Sequence, residues 1–299
     1  MTATISITEA ANSIPTIVAA EALGALKANT VLAQIVTRDW SPTPATKGQT
    51  ISIPKRGVLT ASDKAANTIV TLQAPSDTAV SLTLNKHKEV TYLIEDPAQI
   101  FSAPNLLFGY MEDGVKVIAE AIDADLAALY SGLSQTLDAT AGFDEVFSRE
   151  ARRLLNAAKA PQGDRWAVLS EDGEKEALAM EQMVNRDYQG DAGAVALRNG
   201  YAGRLHGFNY LMDQQIVSVG GERKNLFLQK NALALGTRPL PLAQAGGVYQ
   251  TVLSEDGIGL RVTLSYSPDH LGWQCTIDVL YGVAEIRDNH GVVVSTTAV

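Results

Sequence analysis

The residue types that most often carry out chemistry are scattered along this chain. The stretch GIGLRV places Gly257 and Gly259 close together, but Val262 stands where a dinucleotide-binding loop has its third glycine. No histidine has a second histidine or a cysteine at the spacing of zinc ligands. The histidines are His87, His206, His270 and His290. The sequence therefore predicts no metal site and no cofactor site.

Adjacent carboxylates are the remaining candidates for catalysis. Glu95 precedes Asp96 and Glu255 precedes Asp256, and two carboxyl groups can divide general-acid and general-base work. Each pair follows a strand-like run, where a solvated turn has the same composition. A chain with 33 acidic residues also contains such neighbours by chance. We therefore expect no catalytic residue and interpret the protein as a non-enzyme.

Composition narrows the class of protein. The chain has 299 residues, 46% of them hydrophobic, and a net charge of -9. Its lysines and arginines are not concentrated in one stretch, as a nucleic-acid groove requires. The single cysteine, Cys275, lies in the alternating run WQCTIDVLYG, which predicts a half-buried strand residue. The first residues do not read as a signal peptide, and no run approaches the roughly 20 apolar residues of a membrane span.

A long amphipathic helix is the strongest structural signal, over about residues 106–132. Apolar residues recur there every three or four positions, with charged residues between them. Gly132 is suited to end the helix. The residues that we predict to form its buried face are Met111, Val115, Ile118, Ile122 and Leu126.

A polar hairpin is the second unusual feature. In TKGQTISIPKRGVLTASDKAANTIVTL, two β-prone runs, Ile51 to Ile53 and Thr68 to Leu72, flank a polar middle. An isolated two-stranded hairpin is marginally stable in water, and this one lacks an apolar face to dock on its own subunit. We therefore interpret it as an arm that becomes ordered on a neighbouring copy of the chain.

The remaining segments predict an α+β fold, because strands precede helices and further strands follow. We expect an N-terminal helix to about Ala28, a helix in FDEVFSREARRLLNAAKA, and one from the N-cap Ser170 to about Val184. Residues 187–204 read as a surface loop, and His87, within KHK, is expected to face solvent. The predicted C-terminal strands are VYQTVLS, GLRVTLSYS, GWQCTIDVLYG and GVVVST.

The order of these pieces, with the stretches GQTISIPK, KHKEVTYLIED and DVLYGVAEIRDNHGVVV, resembles a tailed-bacteriophage major capsid protein with the Hong Kong 97-type fold. The resemblance implies an N-terminal arm (1–45) and an extended β-hairpin, the E-loop (46–79). It implies a peripheral domain (80–164) whose spine helix spans about 106–132. An axial domain (165–246) and strands that return to the peripheral domain (247–299) complete the layout.

This resemblance implies a subunit that self-assembles, as hexamers and pentamers, into an icosahedral shell around double-stranded DNA. Residues expected to contact the next subunit through the E-loop are Lys55, Arg56, Lys64 and Asn67. Implied partners are a scaffolding protein, a portal and a decoration protein, without sequence-specific DNA binding or a membrane. The chain would be made in the host bacterial cytoplasm and end in the virion. An encapsulin-type nanocompartment shell, a tail or decoration protein, and a soluble α+β enzyme are the alternatives.

Overall fold

The structure is a computed structural model that describes residues 22, 26, 30–38, 50–57, 59–96, 106–185, 203–242, 248–255 and 258–298. Its helices are α1 (Leu32–Ile35), α2 (Leu106–Ala127), α3 (Glu145–Ala157), α4 (Glu171–Leu178) and α5 (Glu181–Val184), with 3-10 turns at Ala128–Gly132 and Asp288–His290.

The strands divide among three sheets. They are β1 (Thr50–Lys55), β2 (Thr78–Thr83), β3 (Lys86–Glu95), β4 (Gln135–Asp138), β5 (Arg165–Leu169), β6 (Arg204–Leu205), β7 (Phe208–Met212), β8 (Ser218–Val219), β9 (Glu222–Gln229), β10 (Leu233–Arg238), β11 (Val248–Glu255), β12 (Ile258–Ser267), β13 (Gly272–Glu285) and β14 (Gly291–Thr297). Helices and strands thus share the chain, as the α+β prediction requires.

The first sheet, here the spine sheet, contains β3 and β10 to β13. Its central strand is β13, which pairs with β3 on one edge and with β12 and then β10 on the other, all antiparallel. Apolar side chains of β12 and β13, such as Leu260, Ile277 and Val279, are buried in the same core as α2. The long helix therefore lies on this sheet.

Helix α2 has a sharply one-sided surface. Five apolar residues at helical spacing are exposed by only 0–2%, namely Met111, Val115, Ile118, Ile122 and Leu126. On the opposite side Tyr110 and Val117 are 52% and 56% exposed. After Ala127 the helix tightens into the 3-10 turn that ends at Gly132, where the carboxylate of Glu285 occupies the space that a Cβ would need. The apolar residues that recur with a 3.6-residue period in the sequence are thus the ones that pack in the core.

The second sheet, here the mixed sheet, has the strand order β4-β14-β9-β5-β7-β6, and β8 adds to β9. Helices α3 and α4 cover it through an aromatic core around Phe227, which meets Phe208 edge-on with ring centroids 5.1 Å apart. The hydroxyl of Tyr210 is buried there and hydrogen-bonds Ser148 Oγ at 2.6 Å. The mixed sheet and its helices therefore have a core of their own.

Helix α4 shows how a local prediction was partly right. Ser170 is its N-cap, because Ser170 Oγ accepts a hydrogen bond from the Gly173 amide at 3.2 Å. The helix ends at Leu178, not near Val184 as predicted. Met180 is extended (φ -73°, ψ 126°), and the short α5 begins after it. Met180 and Met183 are buried in the mixed-sheet core, so packing breaks the helix to place both side chains.

Each of the two sheets takes strands from both of the ranges 165–246 and 247–299. Strand β10, within the first range, pairs with β13 in the spine sheet. Strand β14, at the end of the second range, pairs with β9 and β4 in the mixed sheet. The chain thus passes between the two sheets both before and after residue 247.

The N-terminal segment is fastened to both α2 and β10. Asp123 on α2 is buried, and its carboxylate accepts hydrogen bonds from the amides of Val31 (2.6 Å) and Ala33 (2.9 Å) at the start of α1. Thr37 then pairs with Ala234 as an isolated parallel bridge. Ala22 and Leu26 are helical and buried. The rest of the predicted N-terminal helix, and most of the predicted loop at 187–204, lie outside the described residues.

Candidate functional site

The hairpin that the sequence singled out has a root packed on its own subunit. Strands β1 and β2 are antiparallel, in register from Thr50 opposite Thr83 to Lys55 opposite Thr78. Ile51, Ile53 and Leu82 are 8%, 2% and 0% exposed and share a core with residues of β10 and the end of β13. The prediction that the hairpin lacks an apolar face for its own subunit is therefore wrong for the root.

The second strand of this hairpin also differs from the prediction. The partner of β1 is Thr78–Thr83, whereas Thr68 to Leu72 form no strand. The pairing places Leu82 beside Ile51 and Ile53 on the buried face, and Ile69 and Leu72 stay outside. The burial of one face thus fixes the register more strongly than local β propensity does.

Beyond the root, the described residues 56, 57 and 59–77 form an extended segment, and the stretch 56–77 is here called the arm. Every described residue from 59 to 79 is exposed. Its two limbs are joined by side chains: the Gln73 amide donates to Thr60 O (2.5 Å) and accepts from Thr60 N (2.9 Å). Nearer the root, Asp77 Oδ1 accepts from the Gly57 amide at 2.9 Å. Side-chain amides and carboxylates therefore replace the backbone ladder of an ordinary hairpin.

The tip of the arm turns at Asn67, whose φ of 66° is in the left-handed region that asparagine tolerates. Thr68 Oγ1 donates to Ala65 O at 2.8 Å across this turn. The arm thus has a defined path although it touches little of its own subunit.

The arm exposes apolar side chains. Ile69 and Leu72 are 94% and 90% exposed, and Leu59 and Val70 are 63% and 58% exposed. Burying a side chain of this kind is worth about 1.5–3 kcal/mol, so their exposure on one segment marks a surface for contact. The sequence predicts a strand at Thr68 to Leu72 and does not indicate this contact surface. The sequence signal for this surface is an apolar run next to a stretch that predicts neither a helix nor a paired strand.

The predicted contact residues are spread along the arm. Lys55 is half-buried at the end of β1, and Arg56 follows it in an exposed position. Lys64 and Asn67 are exposed near the tip, far along the chain from the root. Within the described residues none of these three charged side chains forms an ion pair, although the Lys55 charge acts on Glu285.

Several of the groups suited to chemistry make structural contacts. His87 is exposed, as predicted, and its Nε2 also lies 2.9 Å from Asp278 Oδ2. The buried Asp278 carboxylate also accepts from Arg261 Nε (3.0 Å) and Nη2 (2.7 Å). This cluster ties β3, β13 and β12 together. Of the adjacent carboxylates Glu95 and Asp96, Asp96 also makes a structural contact, because it accepts a hydrogen bond from the Tyr266 hydroxyl at 2.8 Å.

Burial shifts the pKa values of two other titratable side chains, Cys275 and His290. It raises the pKa of the Cys275 thiol, which lies in the core of the spine sheet. It lowers the pKa of His290, which is 6% exposed. Among the residues that the structure describes, no group of three or more His, Cys, Asp or Glu is placed to hold a metal ion. The arm, with its exposed apolar side chains, is therefore the candidate contact surface.

The comparisons with known proteins identify the fold. No protein-family model matches the sequence. A search of curated proteins likewise finds no match. Solved structures do match: that of Mycobacterium phage Che8 has a TM-score of 0.67 at 22% identity and covers 89% of this chain and 90% of its own.

Two further structures agree over a similar length. The capsid of Ralstonia phage GP4 has a TM-score of 0.66 at 10% identity and covers 89% of this chain and 87% of its own. The capsid of a native GTA particle has a TM-score of 0.58 at 13% identity, with coverage of 85% and 86%. The chain therefore has the mixed α+β fold of phage capsid proteins. Of the helices in the described ranges, none is long and apolar enough to cross a membrane.

Proposed function

We propose that this chain is the major capsid protein of a tailed phage, with the Hong Kong 97-type fold, and that it assembles into an icosahedral shell around double-stranded DNA. The fold shared with phage capsids over about nine-tenths of the chain supports the class of protein. The observation that carries the proposal is the arm, which exposes apolar side chains beyond a firmly anchored root.

The arm is suited to reach an adjoining copy. Its root cannot rotate freely, because Ile53 and Leu82 are buried on the subunit and Gly57 packs directly against the Ser76 backbone. Its outer part offers Leu59, Ile69 and Leu72 without a partner surface of its own. A contact of this kind gains free energy only when a second subunit covers it, as assembly requires. Lys55, Arg56, Lys64 and Asn67 are proposed to make its polar contacts.

In the proposed layout, residues 1–45 are the N-terminal arm, 46–79 the E-loop, and 80–164 the peripheral domain with α2 as its spine. Residues 165–246 are the axial domain. Hexamers and pentamers would form the shell, with a scaffolding protein, a portal and a decoration protein as partners. The chain would be synthesised in the host bacterial cytoplasm and reside in the virion. We infer a structural role without catalysis.

The alternative shell and virion proteins have less support, because the three similar structures include two capsids by name and a phage with the highest TM-score among them. An encapsulin-type compartment would share the assembly but enclose protein cargo. A tail or decoration protein would form tubes, rings or surface clusters instead of closed shells.

Excision of the arm tests the proposal. Gly57 and Ser76 lie in contact, so residues 58–75 can be replaced by Asn-Gly, a favoured two-residue hairpin turn. We expect a folded, soluble monomer with an unchanged melting temperature that forms no closed particles in negative-stain micrographs. The intact chain, expressed alone and with its genomic neighbours, is the control. Normal shells from the excised protein would contradict the proposed role of the arm.

A further inference from the structure

Strand β11 is the outermost strand of the spine sheet on the side of β12. It pairs with β12 in an unbroken antiparallel register, from Val248 opposite Ser265 to Glu255 opposite Ile258. Among the strands that the structure describes, none pairs with the other edge of β11. Alternate residues of an edge strand direct their amides and carbonyls away from the sheet, so this outer edge can hydrogen-bond a further strand.

The outer edge of β11 lacks the features that keep sheet edges from pairing. Natural edge strands are usually short, or carry proline, lysine or a bulge. Strand β11 has eight residues and a register without a bulge, and residues 248–254 include neither proline nor a charged residue. Tyr249 and Leu253 pack against the spine-sheet core but stay only partly buried. An added strand would cover both the backbone edge and these two side chains.

The arm contains a segment with the composition of a strand but without a partner. Residues 68–73, here the β-prone segment, follow the turn at Asn67 and precede Pro75, which has no amide hydrogen to donate. Residues 68–72 make no backbone hydrogen bond to another described backbone group, because side chains join the two limbs of the arm. The β-prone segment can therefore pair with a sheet edge without giving up a ladder of its own.

The β-prone segment and β11 match in charge and in apolar pattern. Neither residues 65–76 of the arm nor residues 248–254 include a charged side chain, so pairing them desolvates no charge. Side chains alternate between the two faces of a strand, so Val70 and Leu72 share one face. Tyr249 and Leu253 likewise share the α2 side of the spine sheet. Val70 and Leu72 would thus extend the spine-sheet core across the edge.

We propose that the β-prone segment of one copy adds to the outer edge of β11 in an adjoining copy, with Val70 and Leu72 beside Tyr249 and Leu253. The inference rests on the proposed assembly into shells and identifies the surface that receives the arm. The subunit's own arm does not occupy this edge, because residues 59–79 are exposed wherever the structure describes them. Pairing of two β11 edges from two copies is the competing arrangement, and it would leave the apolar side chains of the arm uncovered.

Disulfide formation between copies tests this contact. One batch of chain carries Leu72→Cys and the other carries a cysteine in β11, so a disulfide between the two positions can join only separate copies. The native Cys275 is buried and stays unchanged. Mixed particles are oxidised, and the linked peptides are identified by mass spectrometry. The β11 variants on the α2 side are Tyr249→Cys, Thr251→Cys and Leu253→Cys, and the matched controls on the other side are Val248→Cys and Val252→Cys.

Residue 72 should link to the α2 side of β11 about tenfold more than to the control positions, because cysteines whose Cβ atoms point to opposite faces cannot form a disulfide. Closed particles with an equal or reversed preference would overturn this inference and leave the proposed function standing. So would a disulfide within unassembled monomers that carry Leu72→Cys and Leu253→Cys together, because the arm would then fold back on its own subunit. A parent protein that forms no closed particles would overturn both proposals.

A second measurement leaves β11 unchanged. Neighbouring amides of a strand point to opposite sides, so only one of Val70→Pro and Thr71→Pro removes a hydrogen bond to β11. Particle yield should fall about tenfold in that variant and stay near the parental yield in the other. Urea unfolding of the unassembled subunit should be the same in both, because the arm is exposed. Equal particle yields from the two variants would overturn the proposed strand pairing.

Discussion

Charging the two most exposed apolar side chains of the arm separates folding from assembly. Ile69 and Leu72 are 94% and 90% exposed, so Ile69→Asp with Leu72→Asp removes almost no contact within the subunit. If a neighbouring copy covers both side chains, their burial contributes about 3–6 kcal/mol to each contact, at about 1.5–3 kcal/mol apiece. Two aspartates would lose that gain and add a desolvation cost.

The loss of contact free energy raises the subunit concentration that assembly requires. Since 1.4 kcal/mol is a factor of ten in an equilibrium constant, the double variant should need roughly 100 to 10,000 times more subunit to assemble. Shells form in concert, so at ordinary concentrations we expect none. Light scattering and negative-stain micrographs give the particle yield, and urea unfolding gives the stability of the subunit.

The matched control is Leu271→Asp. Leu271 is 63% exposed outside the arm, and its positive φ of 44° suits aspartate better than leucine. The control should fold and assemble as the parent does. Particles at normal yield from the Ile69 and Leu72 double variant would refute the reasoning. A double variant that unfolds at lower urea than the parent would show that the arm packs on its own subunit.

Two other substitutions probe α2. Ile118→Asp buries an unpaired carboxylate on the side of α2 that faces the spine sheet, which should cost about 4 kcal/mol or more of stability and leave the chain in the insoluble fraction. The control Val117→Asp, on the exposed side, should stay soluble. Equal solubility of the two variants would argue against this packing. Because burial raises the pKa of Asp123 from 3.8 to about 7, the folded chain keeps a proton that the unfolded chain has lost. The contribution of this Asp123 proton to the free energy of unfolding is full below about pH 4 and is lost as the pH rises through about 7. The free energy of unfolding should therefore decline by about 3 kcal/mol between pH 5 and 8. Urea unfolding of Asp123→Asn should lack this decline, and an identical pH dependence in both proteins would contradict the raised pKa.

Features set by a local period could be predicted from the sequence. The spacing of Met111, Val115 and Ile118 is that of a helix with one buried side, and the structure gives a helix from Leu106 to Ala127. The N-cap at Ser170 was equally predictable, because the side chain acts on an amide three residues away. Such signals lie within one or two helical turns, so the fold elsewhere does not change them.

Features set by distant partners could not be predicted in this way. Thr68 to Leu72 have the composition of a strand, yet β1 pairs with Thr78–Thr83 because that register buries Leu82 against β10 and β13. His87 sits among lysines, but the fold brings Asp278 to it across 191 positions.

The position of the last two strands determines when, during synthesis, the two sheets can be completed. Strand β13 is the central strand of the spine sheet, and β14 lies inside the mixed sheet between β4 and β9. While the ribosome still holds residues 272–297, β3 lacks its partner and β4 has nothing to pair with. The nascent polypeptide therefore cannot complete either sheet, and the root on which the arm stands lacks Ile286. The body that carries the arm is therefore complete only after residues 272–297 have left the ribosome.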